Sequence, residues 1–70
     1  MYALSKAKSG EICTIKWMFG IPEVLEIMHG YQIDVGSRIQ VIRNMTDSLI
    51  IKSDNVKLAL SSEIADRIQV

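Results

Sequence analysis

The sequence predicts a mainly β domain. It is expected to be a small barrel of about five short antiparallel strands, with a short helix after the first strand and a helical turn before the last. Three observations carry that prediction. Ser37-Arg38-Ile39-Gln40-Val41-Ile42-Arg43 alternates apolar and polar residues, with Ile39 and Val41 to one side and Arg38, Gln40 and Ile42 to the other, the period of a strand with one buried face. Segments rich in β-branched residues recur at short intervals, each bounded by Gly, Asn, Asp or Ser. A chain of 70 residues is one domain, residues 1–70, and strands this short are best closed on one another, which also shields their edges.

The elements follow in order. Met1 to Ser5 is a short lead-in, and Leu4 and Ala7 can pack under the barrel. Gly10 precedes a first strand, Glu11-Ile12-Cys13-Thr14-Ile15-Lys16-Trp17, with Ile12 and Thr14 on one side and Cys13, Ile15 and Trp17 on the other. Gly20-Ile21-Pro22 ends it. Pro22 suits the first turn of a helix, where no N–H is needed, and Glu23 suits the positive end of the helix dipole. Val24, Leu25, Ile27 and Met28 give that helix an apolar face, and Gly30 is its expected stop. Gln32 to Gly36 connects to the alternating strand, and Asn44 to Asp47 turns the chain. Ser48 to Lys52 and Val56 to Leu60 then pair across a tight Ser53-Asp54-Asn55 turn, with Val56, Leu58 and Leu60 on one face. Ser61 or Ser62 caps a helical turn with Glu63 at its start, Ile64 and Ala65 pack inward, and Arg67 to Val70 closes as a final strand.

Composition narrows the function classes. Nearly half of the residues are apolar, at 49%, so the chain buries a core and is not a disordered segment. The single Cys13 leaves no disulfide within the chain and suits a reducing compartment. No signal-like opening is expected, and apolar runs such as Trp17 to Phe19 and Leu49 to Ile51 are far short of a membrane span. The expected location is cytoplasmic. Eight basic residues balance eight acidic ones, so the chain lacks the overall positive charge that usually accompanies nucleic-acid binding, and none is expected.

The chemical inventory is thin. His29 and Cys13 are the only histidine and the only thiol, and one sits at a helix end while the other sits in a strand. No GxSxG, phosphate-binding loop or glycine-rich cradle occurs, so no enzyme and no cofactor are expected. Glu26 and His29 are three apart on the helix and, with Asp34, form a possible but sparse metal-ligand set; a dedicated metal site usually shows four convergent ligands or a supported triad. His29 has a plain alternative role as an exposed residue beside the negative end of the helix. The stretch Trp17-Met18-Phe19-Gly20-Ile21 stands out, because four large apolar side chains in five positions exceed what so small a core holds. Either Trp17 and Ile21 are buried while Met18 and Phe19 cover the barrel end, or part of the cluster stays exposed as a partner-binding patch that Tyr31 extends.

Three segments carry a family resemblance. Leu4-Ser5-Lys6-Ala7-Lys8-Ser9-Gly10-Glu11 is similar to an "L-x-x-A-x-x-G" opening. Ile33-Asp34-Val35-Gly36-Ser37-Arg38-Ile39-Gln40-Val41-Ile42 resembles "G-I-x-P-G-x-x-I-x-V". Leu58 through Val70 resembles "A-L-S-x-E-x-A-x-x-I-x-V", the most specific of the three. Together they resemble the ferrous iron transport protein A (FeoA) family. Gln32 stands where that family usually has glycine, and Val35 where proline is common, so Gly30 is expected to supply the flexible position instead. The resemblance implies an SH3-like barrel in the cytosol that accompanies a FeoB-type ferrous iron transporter with a GTP-binding cytosolic domain. It implies action by protein–protein contact, as an accessory or regulatory protein. The same domain also occurs fused to iron- or manganese-dependent repressors. The other reading of the residues is direct iron binding by a sensor or carrier through Glu26, His29 and Asp34.

Overall fold

The alternation in the middle of the chain forms the centre of a four-stranded antiparallel sheet. The computed structural model describes residues 1–54 and 56–70; Asn55 of the expected Ser53-Asp54-Asn55 turn lies outside them. Strand β3 (Arg38–Asn44) buries Ile39 and Val41 and turns Arg38 and Gln40 outward. It sits between β1 (Ile12–Thr14) and β4 (Ser48–Ser53), and β4 pairs onward with β5 (Val56–Ser61), giving the order β1-β3-β4-β5. The register between β3 and β4 shifts between Val41 and Arg43, so Ile42 is the extra residue of a β-bulge. A bulge bends and twists its strand, which helps so small a sheet wrap its core.

The expected first strand is divided in two. Cys13 and Ile15 are buried as their alternation requires, and the Ile15 N–H still donates to Ser37 C=O of the large sheet at 2.9 Å. One residue later, the Lys16 N–H donates to Gln69 C=O at 2.7 Å. The chain then continues as β2 (Trp17–Met18), paired antiparallel with β6 (Ile68–Gln69) in a second, two-stranded sheet. The change of partner slips the alternation by one residue. Met18 packs against the core, whereas Trp17, expected beside Cys13 and Ile15, is 57% exposed. The described residues thus form six strands in two antiparallel sheets, the expected first strand supplying one to each.

Helix α1 (Pro22–Gly30) begins as expected, with Pro22 in its first turn and Glu23 beside it. Its end is different. Gly30 is an ordinary helical residue, and the left-handed position is taken by Gln32, at φ 61°. Gln32 N–H donates to His29 C=O at 2.8 Å, and Ile33 N–H donates to Met28 C=O at 2.9 Å, the paired bonds of a Schellman stop. Ile33 and Met28 are both buried, the apolar contact that accompanies this motif. Burying Ile33 therefore outweighs the cost of a left-handed glutamine. The next turn is closed by Ser37 N–H to Asp34 C=O at 2.9 Å, with Gly36 at φ 94° in the third position, which needs a positive φ in a type II turn.

The last segment follows its sequence signals closely. Ser61 caps α2 (Ser62–Asp66), its hydroxyl accepting from Ile64 N–H at 3.3 Å. Ala65 is buried, and Ser5 Oγ donates to the Asp66 carboxylate, tying α2 to the 3-10 turn Leu4–Lys6. The two chain ends meet, with Tyr2 N–H to Val70 C=O at 3.1 Å and Val70 N–H to Tyr2 C=O at 2.9 Å. The core is Leu4, Ile15, Ile33, Ile39, Val41, Leu49, Ile51, Leu60 and Ile68, with Ala7 and Ala65 between them. No helix among the described residues is long and apolar enough to cross a membrane.

Two substitutions at the helix end test this account of its geometry. Gln32→Gly removes the left-handed strain and should stabilise the fold by about 0.5–1 kcal/mol in urea denaturation. Gly30→Ala adds a Cβ with nothing within 4 Å of it, and should give a similar gain through helix propensity. Were Gly30 the stop, Gly30→Ala would instead destabilise.

Candidate docking site

The turn from β2 into α1 builds an apolar groove at one end of the molecule. Gly20 makes the turn at φ 137°, a conformation that side chains rarely adopt, and a Cβ there would sit 3.0 Å from Arg67 Cδ. The backbone angle is what requires glycine; the flexible Arg67 side chain can give way by the few tenths of an ångström a Cβ would need. Phe19 N–H donates to Arg67 C=O at 3.1 Å, so Phe19 and Ile21 flank a fixed turn. Opposite them α1 contributes Val24, Leu25 and Met28, and the chain's last segment contributes Ile64, Arg67 and Ile68. The space between is a shallow apolar groove continuous with solvent.

Helix α1 is the reason the groove stays open. It buries only Met28 fully, half-buries Val24 and Leu25, and leaves Ile27 60% exposed. The apolar face expected to seal onto the core is therefore only partly used. Phe19 and Ile21, about half exposed, line the groove on either side of the Gly20 turn, and Met18 next to them packs against the core. Trp17 and Tyr31 are also exposed, but neither lines the groove. Sequence reasoning did not single out Leu25, Ile64 and Arg67 for this site. The surplus of apolar residues on a two-turn helix was the available signal for Leu25; only the pairing of β2 with β6 brings Ile64 and Arg67 beside Phe19.

The reactive side chains lie elsewhere and are quiet. Cys13 is buried, and its Sγ donates to Glu11 Oε2 at 3.4 Å. Burial pushes its thiol up to about 11, with the hydrogen bond to Glu11 and that carboxylate's charge acting in the same direction. At neutral pH it is a protonated core residue, not a nucleophile. His29 is solvent-exposed, with Nδ1 2.9 Å from Asp34 Oδ1 across the Schellman stop, and this hydrogen bond and charge raise its pKa. Of the three residues considered for a metal, His29 and Asp34 thus touch, and Glu26 makes no described contact with them. Among the described residues no group of three or more His, Cys, Asp or Glu converges.

Six strands in two sheets around an aliphatic core, with one helix packed loosely across an end, define a small SH3-like barrel whose open feature is an apolar groove. The chain matches the FeoA domain over residues 2–70 and belongs to the FeoA family. Its fold is similar to a crystal structure of an iron uptake regulatory protein (FeoA), at TM-score 0.83 and 21% identity, covering 94% of this chain and 89% of that one. It is also similar to the solution structure of the FeoA protein from Chlorobium tepidum, at TM-score 0.88 and 19% identity over 96% of this chain and 66% of that one. A manganese-dependent transcriptional repressor contains a similar fold, at TM-score 0.78 and 22% identity, with 94% of this chain covering 38% of the repressor. The comparison with curated proteins gives no match. Membership in the FeoA family, a family of small accessory domains, implies involvement in ferrous iron uptake.

Two titrations follow from these environments. The raised Cys13 pKa favours the folded state below about pH 9, its unfolded value, and that contribution is lost as pH rises toward about 11; alkylation at pH 8 should accordingly be slow until urea unfolds the chain. For His29, the contribution is present below the unfolded pKa and fades as pH rises through the folded one. Asp34→Asn should lower the His29 pKa measured by ring-proton NMR, whereas Glu26→Gln should leave it nearly unchanged.

Proposed function

We propose that this chain is an accessory or regulatory module of ferrous iron uptake that binds the cytosolic GTP-binding region of a FeoB-type transporter through its apolar groove. The observation that carries the reading is the half-used apolar face of α1, which leaves Phe19, Ile21, Val24 and Leu25 around an open groove on an otherwise well-packed barrel. Aromatic and aliphatic side chains held partly exposed on a rigid scaffold are what a protein partner buries. Trp17 and Tyr31 are exposed as well, and in this reading they would extend the contact at its rim. Family membership and the name of the similar iron uptake regulatory protein support the same role, and the cytoplasm is the compartment in which it would act.

A second reading, direct iron binding, is favoured by one observation, the 2.9 Å approach of His29 to Asp34. Two ligands hold a transition metal weakly, so this reading needs Glu26 to swing in as a third. Calorimetric titration separates the two. Phe19→Ala or Ile21→Ala should weaken binding of the transporter's GTP-binding region by about tenfold or more, and Trp17→Ala or Tyr31→Ala by less, all four remaining folded. Iron titration of the unmodified chain and of His29→Ala should be alike; stoichiometric iron binding lost in His29→Ala would favour the second reading instead.

A further inference from the structure

The outer face of the four-stranded sheet has a charge pattern that neither the core nor the groove explains. Register pairing sets Ile12, Gln40, Lys52 and Lys57 in one row across β1, β3, β4 and β5, all on the side turned away from the core. A neighbouring row sets Arg43 beside Ile50 and Ala59, and Arg38 pairs with Thr14 at the other end. Four of the eight basic side chains thus share one sheet face. None of the eight carboxylates lies on it. Glu23 and Glu26 are on α1, Glu63 and Asp66 are on or at the end of α2, Asp34, Asp47 and Asp54 are in turns, and Glu11 accepts from Lys8 N–H and Cys13 Sγ at the sheet's edge. A chain with no net charge is therefore strongly polarised.

Lys52 and Lys57 make the point sharpest. They are direct register partners, which places their Cβ atoms about 4.5–5.5 Å apart, and like charges so placed oppose folding. Among the described residues the one ion pair within 4 Å is His29–Asp34, so neither lysine has a carboxylate partner in direct contact. A repulsion kept without internal compensation points to an external anion.

We infer that this face rests on an anionic lipid bilayer surface. Its cations are interleaved with aliphatic side chains, Ile12 at 59% exposure, Ile42 at the bulge and Ile50. That mixture suits the boundary between charged headgroups and acyl chains. Single-stranded nucleic acid is bound differently, on aromatic side chains that stack bases, and this face has none. Four cations give only weak attachment, screened by salt. Weak attachment is enough to hold a small domain near a membrane and raise its effective concentration for a membrane-bound partner. None of the groove residues lies on these four strands, so the face and the docking groove stand or fall separately.

Co-sedimentation of the chain with vesicles tests the inference. Binding is expected with phosphatidylcholine vesicles containing a quarter phosphatidylglycerol at low salt, and is expected to vanish at high salt and on pure phosphatidylcholine. Lys52→Gln combined with Lys57→Gln should weaken it roughly thirtyfold, about fivefold for each charge removed, with the amide NMR spectrum still folded. Lys6→Gln combined with Lys16→Gln, which removes the same charge elsewhere, should retain most of the binding. Absence of binding to the anionic vesicles, or equal loss in the two double variants, would overturn it. So would short duplex DNA displacing the chain from the vesicles, which would assign the face to nucleic acid.

Discussion

Everything in this domain depends on one change of partner in the backbone, between Ile15 and Lys16. The Ile15 amide bonds to Ser37 of the four-stranded sheet, and the Lys16 amide bonds to Gln69 of the two-stranded one. The crossing closes the core, because β2 and β6 bring Met18 and Ile68 over it while Cys13 and Ile15 cover it from the larger sheet. It also creates the groove, since the chain leaves β2 directly into the Gly20 turn, under Arg67 and opposite α1. Fold and candidate site thus share a cause.

The packing divides sharply into a committed part and an uncommitted part. Leu4, Ile39, Val41, Leu49 and Ile51 are essentially inaccessible, and removing several methylenes from any one of them would cost about 2–5 kcal/mol. That is a large share of the roughly 4–10 kcal/mol expected for a domain of this length. Helix α1 contributes little by comparison, one buried methionine and two half-buried aliphatics. A helix held so lightly has few reasons within the chain to carry Leu25 and Ile27, or to be entered through an exposed Ile21. A partner that completes their burial is the simplest physical reason for keeping them. Elsewhere the one thiol is protonated in the core and the one histidine is paired with Asp34.

Local pattern made much of the fold legible. The alternation around Ile39 and Val41, the Ser61 cap, the Pro22 start and the inward Ala65 are all short-range signals, and each appears where its neighbours predict. What escaped depended on residues distant in the chain. Counting alternate positions put Trp17 beside Ile15, but the count fails where Gln69 replaces Ser37 as the backbone partner. Gly30 is the better local stop, yet the helix ends around Gln32 because burying Ile33 against Met28 decides the register. For the site, the density of large apolar residues from Trp17 to Ile21 was visible. The convergence of Phe19 and Ile21 with Ile64 and Arg67 was not, because it requires the pairing of β2 with β6.

The central claim is that the groove beside α1 meets a protein. The most direct measurement is an amide NMR titration of the isotope-labelled chain with the cytosolic GTP-binding region of the same organism's FeoB-type transporter. The account predicts shifts clustered at Phe19, Ile21, Val24, Leu25 and Ile64, with the strand residues Ile39 to Val41 unmoved. Shifts absent from the groove, while Glu26, His29 and Asp34 respond to ferrous ion alone, would contradict it.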